Sequence, residues 1–265
     1  MIVFPNAKIN IGLDITARRS DGFHDIETVF YPVRLCDCLE FVENNSDDDT
    51  FVTSGIDIPA NGKPNLVQKA LSAVRRKYDI PPLDIHLMKK IPTGAGLGGG
   101  SSDAAFMINA LNQSFKLEMS EDERINMAAE LGSDCAFFIK NRPMFATGRG
   151  EVFSEIEIPS NLEIVIVKPD ISISTPFAYS KVKPQTPKFS LKESVQKPLT
   201  QWKSLVKNDF EEFLFPEFEQ LGVIKQQLYD CGAIYASMTG SGSALFAIFD
   251  HEPHLNDDLN KIRIL

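Results

Sequence analysis

The sequence has little of what marks membrane-spanning, secreted or nucleic-acid-binding proteins. No apolar stretch reaches the roughly 20 residues that a membrane span requires. The N-terminus, Met1 to Pro5, has neither the basic start nor the long apolar core of a signal peptide. The formal net charge of -9 does not provide the basic surface that a nucleic-acid backbone needs. We expect a cytoplasmic protein without a nucleic-acid or membrane partner, and we predict a monomer or a weak homodimer.

Cysteines are few, and their spacing does not favour a metal or redox site. Cys36 and Cys38 are one residue apart, which fits neither a zinc knuckle nor a C-x-x-C pair. Cys135 and Cys231 are isolated in the sequence. We interpret all four as reduced thiols and predict no metal ion held by protein ligands alone.

The pattern of apolar residues predicts a mixture of strands and helices. The 265 residues, 43% of them hydrophobic, are enough for one large or two modest domains. Strands are predicted at residues 7–15, 26–33, 39–42, 84–89, 145–153 (with a kink), 162–168, 233–238 and 244–249. Helices are predicted at residues 65–78, 101–111, 120–131, 205–213, 217–229 and 255–265. This mixture indicates an α+β fold that divides near residues 150 to 160.

Several connections and helix ends carry more specific expectations. Residues 44–49 are interpreted as a polar hairpin tip, 162–168 as a buried central strand and 182–198 as a surface loop or lid. Asn65 is expected to cap the first helix, and Ser120 with Glu123 to form a capping box at the third.

A glycine-rich turn lies between the strand at 84–89 and the helix predicted from residue 101. Five glycines within residues 94–100 let the backbone take positive φ angles and approach a ligand closely. The helix that follows offers unpaired N–H groups and a positive dipole end, which together bind an anion such as a triphosphate. Ser101 and Ser102 could cap the helix, bind phosphate or hold a magnesium-bound water. Asp103, in contrast, would repel a phosphate placed too near it.

Two other phosphate-binding patterns fit this turn less well. Gly94-x-Gly96-x-x-Gly99 matches the dinucleotide fingerprint, but Glu118, about 20 residues on, falls in a predicted loop rather than at the end of a second strand. No Gly-Lys-Ser/Thr closes the turn, as a Walker motif requires. NAD binding is therefore the least favoured alternative, and a purely structural turn is the simplest one.

The residues around this turn resemble the central motif of the GHMP kinases, which include galactokinase and homoserine, mevalonate and phosphomevalonate kinases. The similarity extends over Pro92 to Ala105. Four further segments are similar to motifs of the same superfamily: Asn6 to Ile11, Arg18 to His24, Leu131 to Asp134 and Met238 to Ser243. Because these segments run from the first predicted strand to the last, the resemblance covers nearly the whole chain.

The resemblance implies both a fold and a reaction. The fold would be a two-domain α+β GHMP kinase fold with mixed and antiparallel sheets and the active site in the cleft between domains. Residues 1–153 would form the ATP-binding domain and 154–265 a ferredoxin-like domain. The reaction would use ATP and Mg²⁺. The Asp-Gly-Phe-His turn most resembles the branch that phosphorylates the 2-hydroxyl of a cytidine-diphosphate-linked methylerythritol in non-mevalonate isoprenoid synthesis.

Residue roles follow from the same resemblance. Asp134 matches the catalytic base, and Lys8 matches the lysine that keeps this base ionised and offsets charge on the transferring phosphoryl group. The residues that match the ATP-binding turn are Pro92, Thr93, Gly94, Ala95, Gly96, Leu97, Gly98, Gly99, Gly100, Ser101 and Ser102. Those that match substrate-binding positions are Asn10, Phe23, His24, Lys89, Thr175, Pro176, Tyr179, Gly240 and Gly242.

Within the substrate set, some roles are more specific than others. His24 and Lys89 would bind the cytidine diphosphate portion, with the ring of either Phe23 or Tyr179 stacked on the cytosine. Asn10 would lie near the methylerythritol hydroxyls. An ordinary hairpin turn stays the alternative for Gly240 and Gly242. The adenine pocket would depend on loops between residues 55 and 65.

The sequence departs from the family pattern at a few places. Phe23 stands where tyrosine is frequent, and Cys135-Ala136 stands where many members have Val-Pro. The chain ends soon after Phe249, which we interpret as a trimmed C-terminus. Two alternatives stay open: another GHMP small-molecule kinase, acting on homoserine or a sugar, and a non-catalytic nucleotide-binding sensor.

Overall fold

A computed structural model describes residues 1–58, 62, 64–159 and 162–265. The strands, in chain order, are β1 (Ile2–Val3), β2 (Asn6–Arg18), β3 (His24–Cys36), β4 (Cys38–Glu43), β5 (Thr50–Gly55), β6 (Leu83–Lys89), β7 (Met144–Thr147), β8 (Val152–Glu155), β9 (Glu163–Val167), β10 (Tyr235–Met238) and β11 (Leu245–Phe249). The helices are α1 (Leu66–Arg75), α2 (Gly99–Phe115), α3 (Glu121–Leu131), α4 (Cys135–Lys140), α5 (Thr175–Lys181), α6 (Leu191–Ser194), α7 (Trp202–Leu205), α8 (Asp209–Leu214), α9 (Glu219–Asp230) and α10 (Asp257–Ile262).

The chain forms two compact units, each assembled from separated segments. The first comprises residues 1–7, 34–93 and 98–142, and the second comprises 8–33, 94–97 and 143–265. Residues 143–153 fall with the C-terminal segment because β7 pairs with β3 and β8 pairs with β7. The predicted sequence boundary between residues 153 and 154 stays a prediction.

The first unit contains a mixed sheet in the order β1-β4-β6-β5. In β6 the buried residues Leu83, Ile85 and Leu87 alternate with exposed ones, as the period of two of a strand requires. Phe41 of β4 stacks against Phe115 of α2, with ring centroids 6.4 Å apart. The buried face of the sheet is therefore the one against which α2 packs.

Helices of the first unit begin where local capping signals predict. The Asn65 side chain accepts a hydrogen bond from the Val67 amide, and the Gln68 side chain accepts one from the Asn65 amide, so a capping box opens α1. Ser120 accepts from the Glu123 amide at the start of α3. The Glu123 carboxylate instead contacts Lys77 and Tyr78. We find only the serine half of the predicted box.

The second unit contains two sheets, in the orders β2-β3-β7-β8 and β10-β11-β9. Its apolar core is built from both sheets and from α8 and α9, with fully buried side chains such as Ile15, Phe210, Leu221 and Leu245. The long strand β2 carries ten consecutive buried residues. The confirmed α+β class therefore rests on sheets and helices in each unit.

Two predicted connections are wrong, each for a topological reason. Residues 44–49 are not a hairpin tip, because β6 lies between β4 and β5 and pairs in parallel with β5. Residues 145–153 are not one kinked strand; Gly148 and Gly150, with φ of +69° and +99°, reverse the chain between β7 and β8. The strand predicted at residues 162–168 is present as β9, and its residues Val165, Ile166 and Val167 are buried. It pairs with β11 on one side, and Ile166 is hydrogen-bonded to residues 264 and 265 on the other, so it is flanked on both sides as a central strand is.

The segment 182–198 and the helix predicted at 205–213 also differ from expectation. Residues 183–190 are irregular and mostly exposed, as a surface loop is expected to be. Leu191 and Val195, which follow, are buried, so the predicted surface loop ends at α6. Residues 206–208 run beside β2, where the Leu13 amide donates to the Lys207 carbonyl at 2.8 Å. Because residues 206–208 are extended, the predicted helix is not continuous: α7 ends at Leu205 and α8 begins at Asp209. No helix in the described part of the chain is both long enough and apolar enough to cross a membrane.

Candidate active site

Lys8 is held near the start of β2 as a buried cation. The residue is only 4% exposed. Its ammonium nitrogen donates to Asn10 Oδ1 at 2.7 Å and to the Gly96 carbonyl at 3.0 Å. The ammonium also lies 4.9 Å from the ring centroid of Phe30, a favourable cation–π distance. Lys8 and Asn10 are two residues apart in a strand, so both side chains lie on the same face.

The orientation of the Asn10 amide is fixed by its neighbours. Because Lys8 can only donate, the oxygen of Asn10 must face it and the nitrogen must face away. That nitrogen donates to Thr28 Oγ1 at 2.9 Å, and the Thr28 hydroxyl donates in turn to the Gly12 carbonyl at 2.6 Å. Asn10 and Thr28 are 2% and 0% exposed. The chain of donors from Lys8 to the Gly12 carbonyl thus has a single allowed direction.

The glycine turn and the C-terminal glycine loop approach each other closely within the second unit. Gly96 has a φ of +79°, and a Cβ atom on it would lie 2.1 Å from the Thr239 carbonyl oxygen. The Thr239 hydroxyl accepts a hydrogen bond from the backbone N–H of Asn10 at 3.0 Å. Asn208 donates to the carbonyls of Met238 and Gly240 at 2.8 and 2.9 Å. Only glycine permits this backbone contact at residue 96.

The predicted cytidine-binding rings also lie within the second unit. The His24 and Tyr179 rings are stacked, with centroids 4.9 Å apart and planes at 22°. Phe23 is 55% exposed, and the Arg149 guanidinium lies 5.1 Å from its ring centroid. Burial, followed by the charge of Arg18, lowers the pKa of His24. His24 therefore favours the neutral imidazole at neutral pH, a form with one donor and one acceptor.

Thr175, Pro176 and Gly242 lie around the same C-terminal loop. Thr175 and Pro176 open α5 after the cap residue Ser174, and the Thr175 hydroxyl is 3.2 Å from that of Ser241. Gly242 has a φ of +84°, and a Cβ atom on it would lie 2.7 Å from Met238 Sδ. Gly242 therefore leaves no room for a side chain beside Met238, and an ordinary hairpin turn stays the alternative for this loop.

In the first unit, α2 begins directly after the glycine turn. Its first residue is Gly99, not Ser101, and Gly98 precedes it with a φ of +71° and no side-chain cap. A helix start of this kind leaves its first N–H groups available to an anion. Ser102 Oγ is buried and, among the described residues, has no hydrogen-bond partner. A phosphate oxygen or a metal-bound water would satisfy it.

Asp134 lies in the turn between α3 and α4. It immediately precedes α4, which begins at Cys135, and the Cys135 amide donates to the Gly132 carbonyl at 3.1 Å. Burial raises the pKa of the Cys135 thiol to about 11, so this residue stays protonated at neutral pH. The substitution of Cys135-Ala136 for the usual Val-Pro thus still gives a buried helix start.

Lys89 lies at the end of β6, and its ammonium is enclosed by carboxylates. It contacts Asp37 and donates to Asp103 Oδ2 at 2.8 Å, and its side chain is 2% exposed. A substrate could reach this ammonium only if one of the carboxylates moved. The predicted role of Lys89 in substrate binding stays a prediction.

The structure brings together several of the predicted residues and adds others. In the second unit Lys8, Asn10, Gly96 and Gly240 lie around one point, and His24 stacks on Tyr179. Sequence patterns missed Thr28, Asn208 and Asp37. Thr28 lies four residues after His24 on β3, so its closeness to a recognised motif could have marked it as a site residue. Asn208 and Asp37 lie outside every recognised motif, and no local pattern marked them. Residues 59–61 and 63, in the loops expected to form the adenine pocket, lie outside the described residues.

Comparison with known proteins identifies the family. Residues 65–142 match the model of the GHMP kinases N terminal domain, and residues 191–264 match the GHMP kinases C terminal model. The chain belongs to the GHMP kinase family, and membership of this family implies ATP as the phosphoryl donor.

Individual members of the family are similar to this chain over nearly its whole length. The chain is 49% identical, over 95% of its length and 93% of the relative, to a protein of Bacteroides fragilis named 4-diphosphocytidyl-2-C-methyl-D-erythritol kinase. It is 48% identical, over 97% and 94%, to one of the same name from Parabacteroides distasonis. A crystal structure of 4-(cytidine 5'-diphospho)-2C-methyl-D-erythritol kinase has a TM-score of 0.77 at 30% identity, covering 94% of this chain and 90% of that one. The predicted GHMP kinase fold is thus confirmed.

Proposed function

We propose that this chain transfers the γ-phosphoryl group of ATP to the 2-hydroxyl of 4-diphosphocytidyl-2-C-methyl-D-erythritol, a step in non-mevalonate isoprenoid precursor synthesis. The observation that carries this proposal is the 49% identity, over nearly the full length of both chains, to a relative named for that activity. The predicted substrate residues of the second unit support it, because a stacked pair of rings beside polar groups suits a nucleobase.

Asp134 is proposed as the general base of this reaction. Its carboxylate would accept the proton of the 2-hydroxyl as the oxygen forms a bond to the γ-phosphorus, while the bond from that phosphorus to the bridging oxygen breaks and ADP leaves. Lys8 would offset charge on the transferring group and keep Asp134 ionised. The fixed hydrogen bonds of Lys8 to Asn10 and Gly96 support such a role, since a cation held in place needs no reorganisation during the reaction.

Residues 92–102 are proposed to hold the triphosphate. The start of α2 without a side-chain cap supports this assignment, as does the Ser102 hydroxyl, for which the described part of the chain offers no hydrogen-bond partner. Mg²⁺, when bound, would neutralise charge on the phosphate oxygens. Among the described residues, no three His, Cys, Asp or Glu side chains are placed to hold a metal ion. The triphosphate oxygens would supply most of the ligands of such an ion, and Ser102 is the residue proposed to lie near a magnesium-bound water.

Asn10, Phe23, His24, Thr175, Pro176, Tyr179, Gly240 and Gly242 are proposed as the substrate-binding set. Lys89 was predicted with them, but its ammonium is enclosed by Asp37 and Asp103. His24 would present one donor and one acceptor to the cytosine edge. Arg149 covers one face of Phe23, and Tyr179 packs against both His24 and Phe210. Both rings stay candidates for the stacking partner of the base. Single Phe23→Ala and Tyr179→Ala variants, each tested for the Michaelis constant of the cytidine substrate, would separate the two.

The alternative functions are less well supported. A Rossmann site needs a strand after the helix of the glycine turn, but β6 is followed by α2, α3 and α4 before the next strand. A non-catalytic sensor would not need Lys8 or Asp134, and both are present. Two crystal structures of mevalonate kinases are 16% identical to this chain. Identity this low shows a common fold but does not favour mevalonate as the substrate.

The test is release of ADP with a panel of acceptors: the cytidine substrate, homoserine, mevalonate and galactose. We expect activity with the cytidine compound alone, and its loss in Asp134→Asn while ATP still binds. Asp122→Asn, which changes an exposed carboxylate of α3, is the matched control and should retain activity. Full activity in Asp134→Asn would exclude the proposed base, and preference for another acceptor would overturn the substrate assignment.

A further inference from the structure

A buried group of three charged side chains lies beside the glycine turn in the first unit. Lys89, at the end of β6, contacts Asp37, which lies between β3 and β4, and Asp103, in the second turn of α2. All three side chains are at most 2% exposed. Removing a charge from water carries a large desolvation penalty, which is offset only when the charge is paired. The burial of each of these three side chains therefore depends on the other two.

Asp37 also fixes the backbone that leads into the glycine turn. Its Oδ1 atom accepts from the Lys90 amide at 2.5 Å and from the Ile91 amide at 2.8 Å. These are the last amides before Pro92 and Thr93, where the chain leaves the first unit. A carboxylate that accepts two backbone N–H bonds is held firmly in one position.

Asp103 fixes the other side of the turn. The chain returns to the first unit at Gly98, and Asp103 lies four residues into α2, where its Oδ2 accepts from Lys89. Lys89 therefore connects the strand that enters the turn to the helix that leaves it. Without this cation, the carboxylate of Asp103 would oppose a phosphate at the helix start.

Gly99 makes room for the connection. A Cβ atom on Gly99 would lie 2.9 Å from Ile91 Cγ2 and 3.2 Å from the Lys89 ammonium nitrogen. The first residue of α2 thus packs directly against the lysine and against the residue whose amide Asp37 holds. Gly99, Lys89, Ile91 and Asp37 are therefore linked by direct contacts.

We propose that Lys89, Asp37 and Asp103 are positioning residues for ATP: they hold the two ends of the glycine turn at the spacing that presents the α2 N–H groups to the triphosphate. This inference rests on the proposed function for the identity of the nucleotide. It gives Lys89 a role through the turn rather than through direct contact with the cytidine substrate. Burial raises the pKa of Asp103 and the charge of Lys89 opposes this rise, so the ionised form of this carboxyl depends on the lysine.

The experiment compares binding of ATP and of the cytidine substrate, each measured separately by titration calorimetry on the full chain. Asp103→Asn keeps the shape and an acceptor for Lys89 but removes one charge, and Lys89→Met removes the cation. Asp79→Asn changes an exposed carboxylate of the same unit and serves as the control. We expect the dissociation constant of ATP to rise at least about fivefold in both test variants, the effect of losing roughly one oriented hydrogen bond. The cytidine substrate should bind within twofold of wild type.

Each other outcome overturns the inference. Weaker binding of the cytidine substrate alone in Lys89→Met would assign that lysine to direct substrate contact. Equal weakening of both ligands with a lower Tm would mean a structural role only, and unchanged ATP binding in Asp103→Asn would remove the positioning role. If Lys89→Met does not fold, Asp103→Asn decides the result. Because ATP binding is measured without turnover, a failure of the proposed substrate leaves this test intact.

Discussion

Thr28→Val removes one hydroxyl from the chain of hydrogen bonds that orients Lys8. Valine keeps the branched shape of threonine but offers neither a donor nor an acceptor. The Asn10 amide nitrogen then loses its acceptor at 2.9 Å, and the Gly12 carbonyl loses its donor at 2.6 Å. The Asn10 oxygen still accepts from Lys8 and Thr239, but its nitrogen loses the contact that holds it, so the position of the Lys8 ammonium is less well fixed.

The size of the effect follows from burial. Each buried polar group left unsatisfied costs about 1–3 kcal/mol, so two groups lower the free energy of unfolding by roughly 2–6 kcal/mol. A domain of average stability, about 10 kcal/mol, still folds after such a loss. We expect kcat to fall about 10- to 100-fold, because displacement of a catalytic group by about 1 Å has consequences of this order. The Michaelis constant of ATP should change little, since the hydroxyl lies outside residues 92–102.

The assay is steady-state ADP release together with urea unfolding. Thr16→Val is the matched control on β2, since the Thr16 hydroxyl donates only to the Asp25 carbonyl at 3.2 Å in a less buried position. It should cost about 1 kcal/mol or less and leave kcat unchanged. Thr28→Ser, which restores the hydroxyl, should recover most of kcat. A Thr28→Val protein with wild-type kcat would refute the claim that Thr28 orients Lys8.

Three further changes test other contacts. Gly96→Ala places a Cβ atom 2.1 Å from the Thr239 carbonyl at a φ of +79°, so we expect strongly reduced ATP binding, measured by calorimetry, and a lower Tm. Burial, then the charge of Asp209, raises the pKa of Asp14 to about 7. The folded state therefore holds a proton that the unfolded state loses above about pH 4. Stability from this group is full below pH 4 and declines toward pH 7, and urea unfolding between pH 5 and 8 should show a weaker decline in Asp14→Asn. Asn65→Ala removes the cap of α1 and should cost about 1 kcal/mol in the same assay, without changing kcat.

Much of the secondary structure was predictable because its signals are local. The alternation in β6, the cap at Asn65 and the glycines before α2 each depend on residues within one or two turns of each other. The motifs around Lys8, His24 and Asp134 likewise identified the family from the residues alone. Errors arose where a local pattern had two outcomes, as at Gly148 and Gly150, which permit either a kink or a reversal of the chain.

The amino-acid sequence by itself determined most of the longer strands and helices and which side chains carry the phosphate-transfer motifs, since backbone preferences and motif spacing are properties of short stretches. Only the tertiary structure decided that β6 separates β4 from β5, that Thr28 and Asn10 share a hydrogen bond, and that Lys89 lies between two carboxylates. The partner of a buried polar group depends on how remote strands and helices pack, because burial makes an unpaired group costly without specifying which distant residue satisfies it.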